Sequence, residues 1–263
     1  MIVIGRCLVA IVFLVSIAPG AGCAQRPDDA EGRLAGAPVS FETSDGVTIY
    51  GDVFKTGEEK PRTLILLFHQ GGSNGRGEYR NIVPRLVAGG YSVISVDQRR
   101  GGERYGGENR TASALNTDYS YCACYPDLHA TLAYARDSVA HEHIVLWGSS
   151  YSAALALQLA ARNPGDVSGV LAFSPASGDA MDGCRPEQYA QTIEAPVLVL
   201  RPAGEAAIES VAAQLETFRD QGHNAFVADI GVHGSSMLDA SRSEGDVEAT
   251  WAVVMSFLET VGD

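Results

Sequence analysis

Ile144-Val145-Leu146-Trp147-Gly148-Ser149-Ser150-Tyr151-Ser152-Ala153-Ala154-Leu155-Ala156-Leu157 is the stretch that decides how this chain folds. It opens on a short apolar run of the kind buried on both faces of a parallel sheet. It closes on the small and aliphatic residues of a buried helix. A strand that turns so abruptly into a helix forces its corner residue into strained backbone angles, and it needs small residues two positions to either side. Ser150 meets that test with Gly148 and Ser152, whereas Ser149 would face Trp147 and Tyr151. The turn also sets Ser150 at a helix N-terminus, where free N–H groups favour developing negative charge. The competing reading is a serine-rich helix cap.

Outward from this turn the pattern repeats. Thr63 to Phe68, Ser92 to Asp97, Val167 to Phe173, Val197 to Leu200 and Ala225 to Ile230 are further short apolar runs, with His143 to Trp147 as the one already described. Between them, Tyr79 to Ala88, Asp127 to Asp137, Ser152 to Arg162, Ile208 to Gln221 and Val247 to Leu258 carry apolar residues at helical spacing. Val39 to Thr43 and Val47 to Phe54 flank the turn Ser44-Asp45-Gly46 and form an antiparallel hairpin. Strand then helix, repeated, predicts an α/β sandwich: an eight-stranded, mostly parallel sheet with an antiparallel N-terminal hairpin and helices on both faces. The segment between Phe173 and Val197 must hold some helix, but it is too short for a large cap domain, so the site is expected to be open.

Ligands of such sheets bind at the carboxyl ends of the strands. A serine nucleophile there needs a base, and of the six histidines only His233, in Gly231-Val232-His233-Gly234 after the last strand, stands in a carboxyl-edge loop late enough to reach Ser150. His129 falls within a helix, His141 and His143 precede a strand, His223 lies in a helix-to-strand loop, and His69 directly follows the third strand. The base needs a carboxylate to fix its tautomer. Glu205 is the first acid after Val197 to Leu200, with Asp179, Asp182 and Asp229 as alternatives.

Taken in order, His69-Gln70-Gly71-Gly72, Ser150 in its turn, Glu205 and His233 resemble the α/β-hydrolase superfamily, nearest its dienelactone hydrolase-like branch, from about residue 39 to the end. The resemblance implies a serine hydrolase that cleaves carboxylic esters through an acyl-enzyme, with Ser150, His233 and Glu205 as its triad. It implies an oxyanion hole of two backbone N–H groups, which fall on Gln70 and Tyr151. No metal or organic cofactor is required by that chemistry, and the partner is a small-molecule ester or related acyl substrate. Acyl transfer and peptide cleavage on the same triad are alternatives, as is an inactive scaffold used for binding in the cell envelope. Three departures stand out: Glu205 for the commoner Asp, Ser152 for Gly, and Arg201-Pro202 for the usual His-Gly.

The ends and the loops add context. Residues 1–23 carry one Arg, an uncharged run from Cys7 to Ala18 and small residues before Cys23, which predicts a secretory signal peptide. Gly20-Ala21-Gly22-Cys23 resembles a bacterial lipobox, which would lipidate Cys23 and attach the protein to a membrane in the cell envelope; ordinary cleavage near Ala24 is the alternative. Residues 24–38 read as a flexible tether and 39–263 as the folded domain. In an oxidising compartment, Cys184 is expected to pair with Cys122 or Cys124, and Cys-x-Cys with one distant Cys is weak spacing for zinc. The loop 98–110 carries Arg99, Arg100, Arg104 and Arg110. Arg99 and Arg100, with His69, are candidates for binding a substrate carboxylate; the rival is internal pairing with Asp97, Glu103 and Glu108. The net charge of −13, with only Lys55 and Lys60 as lysines, repels phosphate backbones and argues against nucleic acid as a partner.

Overall fold

A computed structural model describes residues 1–2, 34–57 and 62–262. The expected signal peptide, Cys23 and most of the expected tether lie outside the described residues. The sheet has eight strands in the order β1-β2-β4-β3-β5-β6-β7-β8, formed by Ala37–Glu42, Thr48–Phe54, Thr63–Phe68, Ser92–Asp97, His143–Ser149, Gly169–Phe173, Val197–Pro202 and Asn224–Ala228 numbered β1 to β8. β1 pairs antiparallel with β2 and β2 antiparallel with β4; all other pairings are parallel.

Strand periodicity splits the core into two layers. Along β3, Leu64, Leu66 and Phe68 face one side and Ile65 and Leu67 the other, as a period of two requires. The first side packs against α4 (Tyr125–Ser138), α5 (Tyr151–Arg162) and α7 (Glu209–Asp220). The second packs against α1 (Gly75–Tyr79), α2 (Val83–Ala88) and α8 (Glu248–Gly262). The central strands are therefore buried on both faces, which leaves their carboxyl edge as the natural place for a ligand.

Three segments differ from the sequence expectation. The helix expected over residues 79–88 is two short ones, because Asn74 caps α1 by accepting the N–H of Gly77 at 2.6 Å and Pro84 opens α2 anew. The loop after β4 contains α3 (Arg110–Ser113), capped by Asn109, whose side chain accepts the N–H of Ala112 at 2.7 Å. The excursion after β6 forms only single 3-10 turns at Asp179–Met181, Pro186–Gln188 and Ala190–Thr192; among the described residues no large cap covers the sheet edge. A disulfide joins Cys122 to Cys184 and leaves Cys124 as a buried thiol, its pKa pushed up to about 12 chiefly by burial.

Candidate active site

The corner between β5 and α5 is built around Ser150, which sits at φ 61° and ψ −121°. An L-residue is held there only when its surroundings over-determine it. Here the Ser150 N–H donates to the carbonyl of Phe173 at 2.8 Å, and its own carbonyl accepts from Ala153 at 3.0 Å and Ala176 at 3.2 Å. The helix must pass so close that a Cβ on Gly148 would lie 2.5 Å from both the Ala153 Cα and the Ser152 carbonyl oxygen. Ser152, in place of the usual glycine, is fully buried, with its Oγ 2.5 Å from the His69 carbonyl and 3.0 Å from Gln98 Oε1. Its hydroxyl thus ties the first turn of α5 to the ends of β3 and β4. Ser149 is fully buried, and its Oγ accepts the N–H of Ser235 at 2.9 Å.

That last bond brings the second partner to the same edge. The residues after His233 dock on the corner: Gly234 N–H donates to Ser174 Oγ at 3.1 Å, and Ser235 Oγ in turn accepts the indole N–H of Trp147 at 2.8 Å. Gly234, at φ 72°, packs its Cα against Ser149 Oγ, leaving no room for a side chain. His233 itself is half exposed, and its Nδ1 lies 2.6 Å from Glu205 Oε1. Glu205, in α6 (Ala203–Ala206), uses its other oxygen to accept from Arg201 Nη1 at 2.7 Å. Burial alone would raise its pKa, but hydrogen bonds from His233 and Arg201 outweigh burial and hold it at about 2. The other acids are placed differently: Asp179 and Asp182 are exposed and face Arg185 at 3.6 and 3.8 Å, and Asp229 is exposed on the far side of β8 from Glu205 in the chain.

The loops after β3 and β4 correct three expectations. His69 is fully buried; its Nδ1 is 2.9 Å from the Gln70 carbonyl and its Nε2 accepts the N–H of Gln98 at 3.0 Å, so neither nitrogen is left for a substrate. The N–H of Gln70 donates to the buried carboxylate of Glu78 at 2.8 Å and is thereby removed from the oxyanion hole. Gly71 follows, beside the hydroxyl of Tyr121, whose ring stacks on that of Tyr151 at 4.6 Å. Arg99 is buried and spent: Nε binds Asp127 at 2.7 Å, and Nη1 and Nη2 bind Asp45 at 2.6 and 2.8 Å. Arg110 is likewise paired, with Asp97 and Asp52 at 2.6 and 2.8 Å. Arg100 differs. It is half buried, lies 4.5 Å over the Tyr121 ring and donates to the Tyr119 carbonyl, with no carboxylate partner among the described residues. Tyr151, whose hydroxyl donates to the Arg100 carbonyl at 2.9 Å, opens α5, so its N–H is one of the helix's free N-terminal donors.

Sheet order, corner serine and a carboxylate-held histidine at the carboxyl edge define an α/β-hydrolase. The profile of the serine aminopeptidase S33 family matches residues 59–208, more than half of the chain, and the chain belongs to that family of hydrolases. The matched region contains Ser150 and Glu205 and ends before His233. Among solved structures, an esterase of Pyrococcus furiosus is similar over 87% of this chain and 91% of its own, at TM-score 0.67 and 16% identity. A putative dienelactone hydrolase of Klebsiella pneumoniae is similar over 84% of this chain and 98% of its own (TM-score 0.62, 18% identity). An acylaminoacyl peptidase of Pyrococcus horikoshii matches over 86% of this chain but 42% of its own (TM-score 0.63, 15% identity). At such identities the likeness is one of fold. No curated protein matches the sequence.

Proposed function

We propose that the protein is an exported serine hydrolase that cleaves small carboxylic esters through an acyl-enzyme, with Ser150 as nucleophile, His233 as base and Glu205 as the triad acid. The observation that carries this reading is the 2.6 Å contact of Glu205 with His233 Nδ1, in a loop docked on the residue next to the strained Ser150. With Nδ1–H donated to Glu205, Nε2 is the nitrogen free to take the Ser150 proton and later return it to the leaving group. Attack by Ser150 Oγ on the ester carbonyl places negative charge on the carbonyl oxygen, and the N–H groups of Tyr151 and Gly71 are the donors to meet it. Gly71 takes the role first expected of Gln70, whose N–H is bound to Glu78. Collapse expels the alcohol and leaves the acyl group on Ser150, which water then releases by the same route reversed.

Arg100 is the remaining candidate for meeting a substrate at the rim. Export, and attachment to a membrane through lipidated Cys23, rest on the sequence of the leader. Peptide cleavage is the second reading, favoured by the family's name, since the same triad serves both reactions. A fluorophosphonate probe with peptide mapping tests the first step: a label on Ser150 is expected, and an unlabelled native protein would mean an inactive scaffold. Turnover of p-nitrophenyl esters against aminoacyl amides then separates esterase from peptidase.

A further inference from the structure

The position where the superfamily usually carries His, at the carboxyl end of β7, holds Arg201 here, and its side chain is only 5% exposed. We propose that Arg201 is a positioning residue for the triad acid, clamping Glu205 from below and tying it to the excursion after β6; this rests on the triad reading above. The guanidinium fork makes three contacts. Nη1 donates to Glu205 Oε2 at 2.7 Å, and Nη2 donates to Gln214 Oε1 at 2.6 Å and to the Pro175 carbonyl. Gln214 carries the network onward, donating to Glu187 Oε1 at 2.7 Å and to the same Pro175 carbonyl at 3.2 Å.

Two physical points make this more than an ion pair. Glu is one methylene longer than Asp, so a carboxylate that must hold a histidine ring needs its extra torsion fixed. Here each oxygen has one partner, His233 on Oε1 and Arg201 on Oε2, and rotation of the carboxylate breaks both. Stability does not explain Arg201. Buried ion pairs are close to neutral against apolar residues of the same size, and Arg201 adds a buried Nε with no partner. Such an arrangement is retained for what it orients.

The clamp has an electrostatic corollary. The charged groups facing this cluster are Arg201 from β7, Glu205 from α6, His233 from the loop after β8 and Glu187 from the turn Pro186–Gln188. The positive guanidinium offsets part of the negative charge that Glu205 presents to the His233 ring.

The test measures kcat, KM and the acidic limb of kcat/KM from pH 4 to 9 for wild type, R201Q, R201K and the pair R201Q/E205Q, with melting temperatures alongside. R201Q should lower kcat roughly tenfold or more with little change in KM, and move the acidic limb to higher pH because a positive charge is lost beside the triad. R201K keeps the charge but cannot fork, so the limb should stay in place while kcat falls. In the E205Q background, R201Q should cost little more, since Arg201 acts through Glu205. An unmoved limb in R201Q with only a lowered melting temperature marks a structural residue and overturns the proposal, as does R201K with wild-type kcat should R201Q not fold. Probe labelling of wild-type Ser150 is read separately: if it is absent, the triad reading has failed rather than the clamp.

Discussion

At the residue scale the two serines of the corner are chemically alike and structurally opposite. Ser150→Ala should cut esterase turnover on the order of 10⁴ to 10⁶-fold with an unchanged circular dichroism spectrum, because triad members act as a unit. Ser149→Ala removes the acceptor of the Ser235 N–H and should cost about 1–3 kcal/mol of stability with far less loss of rate. An exchange of these outcomes would move the nucleophile. Glu205→Gln should slow turnover strongly, since the amide keeps shape but cannot stabilise the imidazolium. It also has a pH signature. Glu205 is held at about 2 in the fold against its ordinary 4.5, so its charged contacts stabilise the protein fully above pH 4.5 and are lost as pH falls through 2. The melting-temperature gap between wild type and Glu205→Gln should therefore narrow over that window, and a gap constant with pH would refute the assignment. Residue types at such positions are readable from sequence, but spent hydrogen-bonding capacity is not. Arg99 looks like a free cation until Asp45 and Asp127, 54 and 28 residues away, are folded against it. The same holds for His69, sealed by the backbone of Gln98, and for Gln70, whose amide is taken by Glu78.

At the element scale the legible parts are those with strong local periodicity. The strands and the helices α4, α5, α7 and α8 follow from apolar spacing alone, because two buried faces or one buried stripe leave a repeating mark. The break between α1 and α2 and the segments 98–124 and 174–196 do not, since short turns are stabilised by contacts with the sheet edge rather than by their own pattern. The corner between β5 and α5 belongs to the first group, and its tolerance can be stated sharply. Gly148→Ala would drive a methyl into the backbone of Ala153 and Ser152 at 2.5 Å, atoms that cannot swing aside as a side-chain tip could. A loss of several kcal/mol and of probe labelling at Ser150 is expected. If Gly148→Ala melts within a degree of wild type and is labelled normally, the corner is looser than its geometry implies.

At the scale of the whole molecule the fold separates a stiff sheet from a rim made of long excursions. The disulfide between Cys122 and Cys184 spans 62 residues and joins the segment after β4 to the excursion after β6, across the edge where Ser150 and His233 lie. The first of those segments carries Tyr121, which packs on Tyr151 and beside Gly71; the second is bound to the Arg201 network through Pro175 and Glu187. One covalent bond thus braces both walls of the site. Chain entropy alone assigns a loop of this size about 4 kcal/mol, which for a domain of this length is roughly 10 °C in melting temperature. Cys122→Ser/Cys184→Ser should lose about that much, and hydrogen exchange should quicken in residues 118–124 and 176–190 while the amides of β3, β5 and β6 stay protected. Their protection is expected because each strand is buried on both faces and paired on both edges. Two results would contradict this division. Equal melting temperatures would show that the rim already holds itself, and uniform exchange across sheet and rim would show that the molecule opens as one unit.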